Sequence, residues 1–209
     1  MRAYKNLKYS INKLIGRDLK TRLQKSIQLA LIENGYKLNV GSGGQEHKGW
    51  IPTDIDSLNL LSASDWNRVV GKDILNNILG EHVWEHLSDE DGKKAFQFCY
   101  MHLKKGGRIR IAVPDGNNPN PLYIDHVKPG GTGPGADDHK ILYNYKTLKQ
   151  SMEDCGFTVE LLEYYDNNGM FHINEWSIDE GMVKRSKRFD DRNKDGNLNY
   201  TSLIIDGIK

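Results

Sequence analysis

The sequence predicts an α/β fold, a mostly parallel sheet with an antiparallel C-terminal strand and helices on both faces. Three observations point there. Short apolar runs alternate with amphipathic stretches of helical period, the pattern of strands joined by crossovers. The first run after residue 36, Lys37 to Val40, ends directly in Gly41-Ser42-Gly43-Gly44. The last two runs, Phe157 to Tyr164 and Tyr200 to Ile208, have no helical pattern strong enough to bridge them in parallel. A hairpin-like excursion over residues 165 to 199 therefore makes the final strand antiparallel.

The elements follow in order. The first 35 residues carry eight basic residues (Arg2, Lys5, Lys8, Lys13, Arg17, Lys20, Arg22, Lys25) against Asp18 and Glu33, a net of +6. Leu7, Ile11, Ile15, Leu19, Leu23, Ile27 and Leu31 recur every four residues, beside Leu14. That is an amphipathic helix, with a possible break at Gly16. It either packs on the core, lids a site, or offers a basic face to an anionic partner. Residues 1–35 thus read as an extension and 36–209 as the main domain.

Trp50 to Ile55 is a second strand ending in Asp54-Ile55-Asp56, and Ile74 to Val83, largely apolar, a third, buried one. Ser88 is a helix N-cap with Asp89, Glu90 and Asp91 in the first turn, where the helix dipole favours anions. Ala95, Phe96, Cys99, Tyr100 and Leu103 give that helix its stripe, and Gly106-Gly107 end it. Arg108 to Val113 is a strand stopped by Pro114. Residues 115 to 140 form a loop rich in Gly, Pro and Asn, and Tyr145 to Cys155 is a helix closed by Gly156.

Composition narrows the class. The chain has 209 residues, enough for one core, and a net charge of +1, which gives no global field for nucleic acid. Its two cysteines, Cys99 and Cys155, lack the paired spacing of a thiolate zinc site and suit a reducing compartment. No apolar run reaches the roughly 18 residues of a membrane span. The expected location is the cytoplasm.

In open α/β sheets ligands bind at the carboxyl ends of the strands. A glycine turn there lets backbone approach a ligand, and an acid ending the next strand can grip a ribose. Asn39-Val40-Gly41-Ser42-Gly43 is that turn, Asp54 that acid, and Asp56 the second choice. Dinucleotide sites prefer Gly-x-Gly-x-x-Gly, but here the third glycine is replaced by Glu46, an anion where a pyrophosphate would sit. A cofactor without phosphates fits better.

The turn gains weight from its sequel: Asp54, then Glu81-His82-Val83-Trp84-Glu85-His86-Leu87, then Leu103-Lys104-Lys105-Gly106-Gly107 before Arg108 to Pro114. In that order the segment from Leu38 to Asp115 resembles the class I S-adenosylmethionine (SAM)-dependent methyltransferases. It is most similar to the predicted small-molecule, type-11-like group. The resemblance implies a Rossmann-like methyltransferase fold and SAM as cofactor. Asn39, Gly41, Ser42, Gly43, Asp54, Ile55, Glu81 and His82 would line the cofactor. The acceptor would be a small molecule or glycan, methylated at oxygen or nitrogen.

Two departures from that family stand out. Asn39 replaces its usual first-motif acid. Only about ten residues separate Gly43 from Asp54, too few for a full crossover helix. The N-terminal helix is expected to cover that face instead. The acid that normally contacts adenine is not evident; Asp65 and Asp73 are candidates.

Methyl transfer to a hydroxyl needs a base within reach. His82, Glu85, His86, Asp115 and His139 are the candidates. Asp137, Asp138 and His139 could serve as a base or hold a divalent cation, although no metal is expected. Tyr143, Tyr145, Tyr164 and Tyr165 could stack on a ring. Asp191-Arg192-Asn193-Lys194-Asp195-Gly196 matches half a calcium loop, but Ser202 stands where the bidentate Glu belongs, and a tight turn explains the run. No Asn-Pro-Pro-Tyr-type motif points to an amino group on a base or glutamine. An NAD-dependent sugar-modifying enzyme and a non-catalytic binding module remain the alternatives.

Overall fold

A computed structural model describes the backbone of residues 2–209 and the side chains from residue 16 onward. Seven strands form one sheet: β1 (Lys37–Val40), β2 (Ile51–Thr53), β3 (Leu75–Glu81), β4 (Leu103–Val113), β5 (Thr158–Tyr165), β6 (Phe171–Ile173) and β7 (Leu203–Ile208). Their order is β2-β1-β3-β4-β7-β5-β6. The β2, β1, β3 and β4 ladders are parallel; β7 runs antiparallel to both β4 and β5, as expected for the last strand.

Among the described residues five α-helices surround the sheet: α1 (Arg2–Glu33), α2 (Ala63–Val69), α3 (Asp89–His102), α4 (Pro121–Val127) and α5 (Tyr145–Glu153). Ser88 caps α3 by accepting from the Asp91 N–H. The stripe of α3 extends only to His102, because β4 begins at Leu103 and runs through the Gly106-Gly107 pair expected to precede it. Helix α4 lies inside the segment read as loop; Asn120 caps it, and Pro121 sits in its first turn, where a missing N–H costs nothing.

Helix α1 is continuous through Gly16. Its apolar stripe seats only toward the C-terminal end: Ile27 and Leu31 are buried, while Leu19 and Leu23 remain exposed. The side chains of Leu7, Ile11, Leu14 and Ile15 lie outside the described residues. No helix links β1 to β2, so the short spacing was read correctly, and Ile27 and Leu31 join Leu38 and Val40 in the main core. Helix α1 is held to α2 by Asp65, whose buried carboxylate takes Lys20 Nζ at 2.8 Å and Gln24 Nε2 at 3.2 Å.

Side chains of one strand alternate between the two faces. Leu38, Ile78, Ile109 and Ile205 meet Trp66 of α2, Phe96 and Cys99 of α3 and Leu148 and Met152 of α5 in the larger cluster. Leu79, Ala112 and Ile204 project the other way and meet Trp50, Leu162 and Val183. That second cluster is roofed by part of the excursion between β6 and β7, which holds two single 3-10 turns, Ile178–Glu180 and Asp191–Asn193.

A buried ion pair anchors this strap. Arg110 on β4 and Asp206 on β7 face each other in register and are both fully buried. Arg110 Nε and Nη2 each meet an Asp206 oxygen at 2.8 Å, while its Nη1 donates to the carbonyls of Ser177 and Gly181. Removing one partner of such a pair strands the other charge in the interior, at a cost of about 3–5 kcal/mol. Asp206→Asn is expected to lower unfolding stability by that amount in urea titration. A loss under about 1 kcal/mol would show that the strap is held by something else.

Candidate functional site

The carboxyl ends of β1, β2, β3 and β4 carry most of the sequence-selected residues. Gly41, Gly43 and Gly44 all adopt positive φ, the left-handed region that glycine enters without strain. A Cβ on Gly41 would strike the Val83 methyls, whereas Gly43 and Gly44 face open space. Ser42 Oγ donates to Asp54 Oδ2 at 3.0 Å and the Gly43 N–H donates to Oδ1 at 3.1 Å. Asp54 thus ties the β2 end to the glycine turn and, with two lone pairs on each oxygen, keeps capacity for further donors.

Beside it opens a cleft of about 330 Å³ lined by Ser42, Gly44, Glu46, Asp54 and Ser57, with Leu23 and Ile27 of α1 as an apolar wall. Ile55, next to Asp54, is 71% exposed. An apolar wall, an open glycine turn and an acid with spare acceptor sites are features that suit a nucleoside.

Asn39 is buried in β1, level with Leu79 of β3. Glu81 is placed differently from a ligand contact: its carboxylate accepts the Lys184 N–H at 3.0 Å and the Arg185 N–H at 2.9 Å, with Arg185 Nη1 at 3.8 Å. It docks the strap at the sheet edge. Neither acid considered for adenine is free to act so. Asp65 is consumed by α1 and by the Asn59 N–H, and Asp73 pairs with Lys209 near the amino end of β3, across the sheet from the glycine turn.

The segment after β3 gathers the polar groups. His82 has φ of 57°, rare for a residue with a side chain and frequent at functional sites. Its Nδ1 lies 2.9 Å from Glu85 Oε1 and its Nε2 2.9 Å from Ser202 Oγ. Glu85 is fully buried. Burial pushes its carboxyl up, but the charge of the nearby His82 imidazole, with a smaller contribution from His86, outweighs this and holds it below the usual range. His86 Nδ1 is 3.3 Å from Asp138 Oδ2, and the His86 and His139 rings meet edge to face at 4.8 Å. Lys140 N–H donates to the Glu85 carbonyl at 2.7 Å, so the loop carrying His139 is fastened beside Glu85.

A cavity of about 240 Å³ adjoins this group, lined by His82, His126, His139, Arg185, Arg192 and Tyr200 among others. The arginines were missed in the sequence because they arrive from the strap, where no pattern marks either of them for this edge of the sheet. The calcium-like run is a structural turn. Asn193 Oδ1 accepts from Asn199 N and Tyr200 N, and Asp195 accepts from Asn197 and Asn199. Of the four tyrosines, Tyr143 is buried in the main core, Tyr165 tilts against Phe171, and Tyr164 packs against Tyr145 and stacks on His172.

No family model and no curated protein matches the chain. Solved structures do. One described as a SAM-dependent methyltransferase, possible histamine N-methyltransferase, from Thermotoga maritima is 12% identical. The match covers 95% of this chain and 96% of that one, with a TM-score of 0.51. The chain has the fold of a SAM-dependent methyltransferase. A SAM-dependent methyltransferase from Archaeoglobus fulgidus aligns over 93% of this chain and 94% of its own at 17% identity and a TM-score of 0.49. Among the described residues no helix is long and apolar enough to cross a membrane.

Asp115 stands apart from the cavities. It is fully buried, and its oxygens accept the N–H groups of Asn117 and Tyr165 at 2.9 and 2.7 Å. Burial pushes its carboxyl up to about 6 despite those two bonds. The unfolded chain, with a carboxyl near 3.8, gives up its proton first. Asp115 therefore favours the fold most below about pH 4 and loses that preference as pH rises through 6. Wild type is expected to gain about 2 kcal/mol over Asp115→Asn on going from pH 7 to pH 4.5 in paired denaturation curves. A pH-independent difference would show that Asp115 does not titrate in this way.

Proposed function

We propose that this chain is an enzyme that transfers the methyl group of SAM to a small-molecule or glycan-type acceptor at oxygen or nitrogen. The observation that carries the reading is a juxtaposition. The Gly41–Gly44 turn with Asp54 stands at the same sheet edge as the group formed by His82, Glu85, His86 and His139. The likeness in fold is consistent with it.

Asp54 would take the ribose hydroxyls, and Leu23, Ile27 and the exposed Ile55 would flank the adenine. Gly43 and Gly44 leave room for the ligand because no side chain projects from them. Glu46 leaves the cleft unsuited to a pyrophosphate, which separates this reading from a dinucleotide site. The bound cofactor supplies an electrophilic methyl on a sulfonium; the protein supplies position and a route for the acceptor's proton.

That route runs to the histidine cluster. His139 Nδ1 lies 2.7 Å from the Val127 carbonyl, which can only accept, so Nδ1 carries the proton and Nε2 holds a free lone pair. His139 lines the 240 Å³ cavity with Arg185 and Arg192; Arg192 is already forked onto Asp190, so an anionic group on an acceptor would be met there by Arg185. Asp115 serves as a positioning residue for the loop after β4, and Glu81 as one for the strap.

Titration calorimetry with SAM, S-adenosylhomocysteine and NAD tests the reading. S-adenosylhomocysteine is expected to bind in the micromolar range and NAD not to bind. Asp54→Ala is expected to weaken that binding at least 10-fold, about 1.4 kcal/mol. Binding of NAD but not of S-adenosylhomocysteine would overturn the proposal, and product binding indifferent to Asp54→Ala would overturn the ribose assignment.

A further inference from the structure

Glu85, His86 and His139 each present one ligand atom, and the three atoms lie within 4.8 Å of one another. Glu85 is 0% exposed, and among the described residues neither of its carboxylate oxygens has a hydrogen-bond partner. The nearby His82 Nδ1, though 2.9 Å from Oε1, is not aligned to donate to it. His86 Nδ1 is buried and, though 3.3 Å from Asp138 Oδ2, makes no hydrogen bond among the described residues. Buried polar groups in folded proteins are nearly always paired, and an unpaired buried carboxylate is among the costliest to leave. A buried carboxylate left so, with an imidazole of His86 and one of His139 close by, asks for a partner that is electron-poor.

The second shell is already in place. His139 donates through Nδ1 to the Val127 carbonyl, which leaves Nε2 as the ligand atom and fixes the ring, as metal-bound histidines are usually fixed. The Lys140 and Ile141 N–H groups both point to the Glu85 carbonyl, pinning the two chain segments together. The Ala136–Asp138 3-10 turn, entered through Gly135 in the left-handed region, sets the loop's path just before His139.

We propose that Glu85, His86 and His139 bind a divalent transition-metal ion. Two imidazoles and one carboxylate suit Zn²⁺, Co²⁺, Fe²⁺ or Mn²⁺, whereas Ca²⁺ and Mg²⁺ favour all-oxygen sets. Three protein ligands leave coordination positions for an exogenous group. Because His139 also lines the cavity with Arg185, an oxygen of an acceptor would reach that position from the cavity. The ion would occupy the His139 nitrogen in place of the proton route through it: as a Lewis acid it would lower the pKa of an acceptor hydroxyl, whose proton then passes to solvent as the methyl leaves sulfur for oxygen. This last role rests on the methyltransferase reading; the binding site itself does not.

The test uses the full chain, freed of metal with a chelator and titrated with Zn²⁺ and, separately, Co²⁺ without any cofactor. One equivalent of Zn²⁺ is expected to bind with a Kd below about 1 μM, and Co²⁺ to give visible d–d absorption of a nitrogen- and oxygen-ligated site. Glu85→Gln and His139→Ala are each expected to weaken Zn²⁺ by at least 10-fold, with the Co²⁺ spectrum altered or lost. His139 is half-buried at a loop, so His139→Ala keeps the test valid if the Glu85 variant fails to fold. No stoichiometric binding, or binding that His139→Ala leaves unchanged, would overturn the proposal. S-adenosylhomocysteine binding by the same metal-free protein reports separately on the cofactor site, so either reading can fail alone.

Discussion

The Arg110–Asp206 pair is the constraint on which the rest of the molecule hangs. It crosses the β4–β7 ladder, where parallel and antiparallel halves of the sheet meet, and its guanidinium also collects the carbonyls of Ser177 and Gly181. One buried charge pair thus fixes both the sheet's seam and the cover of its second face. Its Nε and Nη2 bonds are a bidentate fork, the geometry in which Arg and carboxylate best offset their desolvation. Trp176 completes the enclosure, 4.8 Å from the guanidinium carbon.

From that anchor the strap reaches the functional edge. Val183 fills the second cluster, and the next two N–H groups bind Glu81. Arg185 then hands its carbonyl to the Ser202 N–H and hydroxyl, and Ser202 in turn meets His82 Nε2. A chain of contacts therefore runs from the buried pair to the imidazole beside Glu85. Where a typical crossover helix would stand behind the glycine turn, this protein uses a long N-terminal helix on one face and an irregular strap on the other.

Much of this was legible in the residues. The strand-turn order, the Ser88 cap, the missing crossover helix and the antiparallel last strand all follow from spacing and turn chemistry that act locally. The placing of Asp54 and the glycine turn at the carboxyl ends of their strands was legible too, since period and length determine where those strands end; the hydrogen bonds that join them were not. What escaped was non-local. Helix α4 is short and set among Gly, Pro and Asn, so its capping Asn120 and Pro121 were lost in a turn-rich context. Arg185 and Arg192 reach the cavity only because Arg110, Glu81 and Ser202 fold the strap back. Glu81, Asp65 and Asp115 look like ligand groups in the sequence, yet their oxygens are taken up by backbone and side-chain donors that no pattern announces. The proximity of Glu85 to His139 depends on a 3-10 turn and two hydrogen bonds across more than fifty positions of chain.

The place of β7 has a kinetic side. It lies between β4 and β5, so the ladder that unites the sheet pairs Arg108 with Ile208 and Val113 with Leu203. Strands β1 to β4 and the β5–β6 hairpin can each take shape from nearer contacts, but they share no ladder until β7 enters between them. Closing such distant pairs delays the reward for the chain entropy spent. Before that insertion the edges of β4 and β5 are bare and available to a neighbouring molecule, which makes self-association during refolding a competitor of the native sheet.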